Sequence, residues 1–112
     1  MKRVLFVFFS MLTGVFTVAE STSSDVLVID VRTMQEWDRG HLASAKRVEW
    51  QDIQSVIGSL ASSITQHVVV YCRSGQRSGK AKEILDAMGY THVTNAGSLS
   101  EASDLLKESI VQ

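Results

Sequence analysis

The sequence predicts an α/β domain, with a central parallel sheet flanked by helices, from three observations. Two short runs rich in β-branched residues, "VLVID" at 26–30 and "HVVVY" at 67–71, lack polar alternation, as strands buried on both faces do. Between and after them, apolar residues recur at helical spacing. Strand and helix signals alternate along the chain, the order that builds parallel βαβ units rather than hairpins.

Taken in order, "VLVID" is the first strand, and "TMQEWDRG" follows with Thr33 and Glu36 three positions apart. That spacing is a capping box for a short helix, and Gly40 is placed to end it. In "WQDIQSVIGSL" (50–60), Ile53, Val56, Ile57 and Leu60 lie on one helical face. "SSITQ" reads as a linker into the second strand, "HVVVY". From Ser78 onward Ala81, Ile84, Leu85 and Met88 repeat the helical spacing, and Gly89 sits where a left-handed cap stops the turn. "THVTN" (91–95) reads as a third strand and "AGS" as a turn. Leu99, Ala102, Leu105 and Leu106 give a last helix with Glu101 near its start. The chain contains no proline, so its turns rest on Gly, Ser, Asn and Asp.

Residues 1–19 have the layout of a secretory signal peptide: Lys2 and Arg3, an apolar run, then small residues ending at Ala19. A retained anchor is the competing reading. The run falls short of the ~20 residues a span needs, and Ser10, Thr13, Gly14 and Thr17 dilute it. Cleavage after Ala19 leaves residues 20–112 as one domain, exported to the periplasm, with no stable membrane insertion. That domain carries 9 basic and 12 acidic residues. No basic stripe with interleaved aromatics points to nucleic acid. A single cysteine cannot form an intrachain disulfide, and a free thiol in an oxidising compartment calls for a chemical reason.

That cysteine, Cys72, falls where the "HVVVY" strand gives way to a helix, the place where open parallel sheets bind ligands. The following "RSGQRS" supplies a glycine for unusual dihedrals and enough N–H groups to curl into an anion-binding nest over a helix terminus. Such a nest favours a thiolate, because the charged form gains hydrogen bonds the neutral form lacks. Several donors lower a thiol pKa by about one to three units, each worth ~1.4 kcal/mol. Arg73, Arg77, Lys80 and Lys82 lie near the same helix start, where each cation costs ~0.3–1 kcal/mol. A local rule broken in this way indicates a site built to receive an anion.

The stretches "VLVIDVRTMQEWDRGHLASA", "YCRSGQRS" and "AKEILDAMGYTHVTNAGSL" together resemble the single-domain rhodaneses, thiosulfate sulfurtransferases, and among them the small exported phage-shock type. The resemblance covers essentially the whole mature chain and implies a three-layer fold. It rests on an Asp-Val-Arg, acidic-aromatic and Gly-His stretch and on the loop after the cysteine. Rhodanese loops run six residues from Cys to Arg, as Cys72 to Arg77 do. Related phosphatases of the Cdc25 type place Arg one residue later, where this chain has Ser78.

The resemblance implies that Cys72 is the nucleophile and takes the outer sulfur of thiosulfate as a persulfide, then passes it to a thiol or cyanide acceptor without a metal or cofactor. It implies that Arg73 and Arg77 hold the donor's sulfonate. Backbone N–H groups of Ser74, Gly75, Gln76, Arg77 and Ser78 would cradle the outer sulfur, with the Ser78 hydroxyl as an extra donor. Asp30 and Arg32 match the Asp-Val-Arg motif and read as supports for the end of the first strand. Glu36 reads as a helix cap and His41 as a packed turn residue. His67 and His92 lack metal-ligand spacing, and Trp37 and Trp50 read as core or groove-lining aromatics.

Two departures from the family pattern stand out. Ala43 and Ser44 replace the common Pro-Gly, which predicts a looser turn, and "AGSLSEASDL" reduces the usual Gly-Gly-Trp stretch. Besides sulfur transfer, two functions stay open at this point: a non-enzymatic persulfide carrier or stress-linked binding module, and a cysteine phosphatase.

Overall fold

The structure, a computed structural model, describes residues 26–112. The predicted signal segment, residues 1–19, lies outside the described residues.

The chain runs β1 (Leu27–Asp30), α1 (Met34–Asp38), β2 (His41–Leu42), β3 (Lys46–Arg47), a 3₁₀ turn (Trp50–Asp52), α2 (Ile53–Leu60), β4 (Val68–Cys72), α3 (Gln76–Ala87), β5 (Val93–Ser98), α4 (Leu99–Leu106) and β6 (Ile110–Val111). Four strands form one parallel sheet in the order β3-β1-β4-β5. The two strands taken from β-branched runs, β1 and β4, occupy its centre. β2 and β6 form a separate antiparallel pair, with His41 opposite Val111 and Leu42 opposite Ile110.

Alternate residues of the central strands face opposite layers, as a pleated strand requires. Ile29, Val68, Val70 and Cys72 join Ile53 and Ile57 of α2 and Ala81 and Leu85 of α3 in one core. Val28 and Tyr71 join Leu42, Ala45 and Ala102 of α4 in the other, with Trp37 of α1 packed against it. The result is the expected three-layer arrangement, with helices on both faces of a parallel sheet.

The helix signals hold closely. Thr33 and Glu36 form the predicted capping box, and a second one, Ser98 with Glu101, starts α4. Gly89 follows α3 with φ +102°. Three local expectations need correction. The helix expected from Ser78 begins at Gln76, because Gly75 turns the chain at φ +96° and leaves no further loop. The "AGS" segment is not a turn but continues β5, pairing Ser98 with Cys72 across a bulge that brings Gly97 to φ +85°. The turn at Ala43 and Ser44 is fastened rather than loose, since the Ser44 amide (3.1 Å) and hydroxyl (2.9 Å) donate to Glu108 Oε1.

Asp30, fully buried at the carboxyl end of β1, fixes that edge of the sheet. It accepts from Arg32 Nε at 2.9 Å, Arg32 Nη2 at 2.7 Å and the Arg32 amide at 2.9 Å. Arg32 also donates to the Gly40 carbonyl at 2.6 Å, tying β1 to the end of α1. Tyr71 lies opposite Asp30 in register, and its hydroxyl accepts from the Leu42 amide at 3.1 Å. Burial holds the Tyr71 phenol well above its ordinary range. Replacing one member of a buried pair strands the other, so Asp30→Ala is expected to destabilise the domain by about 3–5 kcal/mol. Urea unfolding of both proteins measures this; a loss below ~1 kcal/mol would mean that solvent reaches Arg32 freely.

Candidate active site

Cys72 ends β4 at the carboxyl edge of the sheet, and its side chain is fully buried. It is not turned away from the loop. Its Sγ accepts from the Gly75 amide at 3.0 Å and the Ser78 amide at 3.5 Å, and the Ser78 hydroxyl lies 3.3 Å away. The Ser74 amide adds to the favourable field at the sulfur. Burial pushes the Cys72 thiol up, but the Ser78 hydroxyl and the amides of Ser78, Ser74 and Gly75 outweigh it and bring the pKa below its ordinary value.

These donors converge because Gly75 adopts a left-handed conformation that folds the loop back over the sulfur and starts α3 directly beneath it. A side chain at position 75 would also meet the Gly97 Cα at 3.4 Å. Of the five amides the sequence placed around the sulfur, Ser74, Gly75 and Ser78 face it. Gln76 and Arg77 open the first turn of α3, which carries no acidic residue.

Arg77 has a partner that sequence spacing does not reveal. Its Nη1 donates to Glu36 Oε1 at 2.8 Å and its Nη2 to Glu36 Oε2 at 2.9 Å, a paired contact across 41 residues. Glu36 is the helix cap expected from Thr33 and, in addition, the residue that clamps the loop after Cys72 to α1. Arg77 holds the Glu36 carboxyl down to about 2, and Glu36 in turn raises the Arg77 guanidinium. Arg73 points elsewhere. With Arg32, Glu36 and Arg39 it lines a cleft of about 230 Å³ beside the loop. Arg39 was missed, because a lone basic residue in a short helix looks like solvated surface.

Asn95 was missed as well, because "THVTN" reads only as the end of a strand. Its Oδ1 accepts from the Ser78 hydroxyl at 2.7 Å and the Gly97 amide at 3.0 Å, and its Nδ2 donates to the Gly75 carbonyl at 2.9 Å. The remaining candidates behave as packing residues. His41 stacks on Trp37 at 3.5 Å with Nδ1 on the Trp37 carbonyl, and His67 stacks on His92 at 3.8 Å. Burial, then the neighbouring His92, lowers the His67 pKa. Trp50 packs on the α2–α3 core beneath Lys80, whose Nζ is 5.0 Å from the ring centre. Among the described residues no group of His, Cys, Asp or Glu could hold a metal ion.

A single cysteine in a ring of amides at the strand edge of a parallel α/β domain is an arrangement that both group transfer and hydrolysis can use. Comparison with known proteins narrows it. A family model described as "Rhodanese-like domain" matches residues 18–102. Thiosulfate sulfurtransferase PspE of Escherichia coli is 40% identical over 73 residues, covering 65% of this chain and 70% of PspE. Thiosulfate sulfurtransferase 18 of Arabidopsis thaliana is 37% identical over 82 residues, covering 62% of this chain and 60% of its own length. Among solved structures, a rhodanese with anions from E. coli superposes with a TM-score of 0.66 at 38% identity, covering 68% of this chain and 89% of that one. The human single-domain sulfurtransferase TSTD1, 24% identical with a TM-score of 0.64 over 80% of this chain and 88% of that one, shares the fold. The chain belongs to the rhodanese-like domain family and is similar to PspE.

The Glu36–Arg77 pair has a defined pH signature. A carboxylate whose folded pKa is depressed contributes stability above its unfolded value, here 4.5, and loses it as pH falls toward about 2. Glu36→Gln is therefore expected to be about 1.5–3 kcal/mol less stable than the parent at neutral pH. The gap should close on acidification through that window. Unfolding measured at several pH values tests this; a gap that stays constant would deny the pair its role.

Proposed function

We propose that the domain is a thiosulfate sulfurtransferase working through a Cys72 persulfide. The observation that carries this reading is the convergence of the Ser74, Gly75 and Ser78 donors on one sulfur. In the first half-reaction the Cys72 thiolate attacks the outer sulfur of thiosulfate. A new S–S bond forms, the sulfur–sulfur bond of the donor breaks, and sulfite leaves with the electron pair. In the second, a thiophile such as cyanide attacks the outer persulfide sulfur, giving thiocyanate and regenerating the thiolate.

With Arg77 engaged by Glu36, the sulfonate of the dianionic donor falls to Arg73, supported by Arg39 across the cleft. Arg77 keeps the loop in place and adds positive field at the sulfur. Asp30 and Arg32 support the site by holding the strand edge and the end of α1. Because Cys72 has no exposed surface, the donor reaches Sγ only when the side chain turns or the loop yields at Arg73–Gly75. The names of the E. coli and A. thaliana relatives, thiosulfate sulfurtransferases, favour this donor class. Residues 1–19 support export, with 20–112 as the mature periplasmic domain. No helix among the described residues is long and apolar enough to cross a membrane.

The test is thiocyanate formation from thiosulfate and cyanide, with mass spectrometry of the protein after thiosulfate alone. One added sulfur on the Cys72 peptide and abolition of turnover by Cys72→Ser are the expected results. Arg73→Ala should raise the KM for thiosulfate about tenfold while altering kcat less, the loss of ~1.4 kcal/mol in binding. Turnover unchanged in Cys72→Ser would end the proposal. Persulfide formation without turnover would make the domain a carrier.

A further inference from the structure

The Ser78 hydroxyl lies between two acceptors and has only one hydrogen to give. Asn95 Oδ1 is 2.7 Å away and Cys72 Sγ 3.3 Å away. The orientation of the Asn95 amide is fixed from both sides. Its Nδ2 faces the Gly75 carbonyl at 2.9 Å and its Oδ1 receives the Gly97 amide at 3.0 Å. A flipped amide would set NH₂ against a donor and oxygen against a carbonyl. Asn95 therefore presents an acceptor to Ser78, and the shorter contact takes the hydroxyl hydrogen.

With its hydrogen on Asn95, Ser78 Oγ offers Cys72 a lone pair. That suits a thiol, which donates S–H to it, and opposes a thiolate, which needs a donor. Forming the thiolate requires the hydroxyl to rotate away from Asn95 and toward the sulfur. We propose that Asn95 is a positioning residue for Cys72: by holding the Ser78 hydroxyl in its accepting orientation it sets how readily the thiol becomes the attacking thiolate. The inference rests on Cys72 being the nucleophile proposed above, and it adds a two-position rotor to the site. In the thiol state the rotor points to Asn95; in the thiolate state it points to Sγ, joining the Gly75 and Ser78 amides.

Asn95 is exposed on β5, an edge strand, so its replacement leaves both cores untouched. The experiment is the pH profile of iodoacetamide alkylation of Cys72, paired with thiolate absorbance in the ultraviolet. Neither readout depends on which sulfur donor the protein uses, so a failed sulfur-transfer assay leaves this test intact. Asn95→Ala should free the Ser78 hydroxyl for the sulfur and lower the midpoint by roughly half to one pH unit, the worth of one hydrogen bond. Ser78→Ala should raise it. Asn95→Leu, which keeps the side-chain size without an acceptor, should lower it by about as much as Asn95→Ala does and guards against misfolding of a single variant. In the Ser78→Ala background, Asn95→Ala should shift nothing further. A midpoint that is unchanged or raised in Asn95→Ala overturns the proposal. So does a shift of equal size without Ser78, which would assign the effect to the Gly75 carbonyl contact instead.

Discussion

The site depends on how little chain separates β4 from α3. Gly75, the third residue after Cys72, is in the left-handed region, and α3 begins at the next position. A side chain at that dihedral is strained, and a carbon there would also crowd Gly97. The short junction therefore fixes two things together: the direction of the loop amides and the position of a helix N-terminus beneath the sulfur. Both favour negative charge on Cys72, and both would be lost if the chain entered the helix through a longer loop.

Burial and ionisation pull against each other here. A sulfur with no exposed surface pays a desolvation cost on becoming charged, and that cost is the largest single influence on Cys72. The hydroxyl and three amides that face it reverse the balance. The cations are arranged to help without entering the ring. Arg77 is neutralised in part by its paired contact with Glu36, so it acts as a strut between α1 and the loop. Arg73 remains open to the cleft. One basic residue organises the protein and the other faces an open cleft, although both occupy the same loop and look alike in the sequence.

What could be read from the sequence follows the range of the interactions involved. Buried β-branched runs, apolar helical stripes and the Thr33–Glu36 capping box are local patterns, and β1, β4, α2, α3 and the cap of α1 appear where those patterns lie. The short strands β2, β3 and β6 escaped because two residues carry no period, and they exist only through their pairing partners. "AGS" looked like a turn because glycine and serine favour turns. Pairing with β4 across a bulge overrode that preference, and Ser98, at φ −85°, caps α4 without needing a glycine. In the site, Cys72 and the loop after it were legible because they are contiguous. The contacts of Arg77 with Glu36 and of Ser78 with Asn95 span 41 and 17 residues, and no single-sequence pattern reports them.

The size of the ring bears on which chemistry it suits. A phosphoryl group needs donors spread around several oxygens, whereas the donors here close on one atom, with the Gly75 amide 3.0 Å from Sγ. Contacts to two neighbouring elements hold the ring. Its Gly75 carbonyl accepts from Asn95 Nδ2 on β5, and Arg77 at its far end is tied to α1 through Glu36. These restraints come from β5 and from α1, so widening the ring would break contacts to the edge strand and to the helix at once. A second sulfur attached to Sγ asks for much less, because it is one polarizable atom bearing one charge. The same restraints hold donors ready for that one added atom.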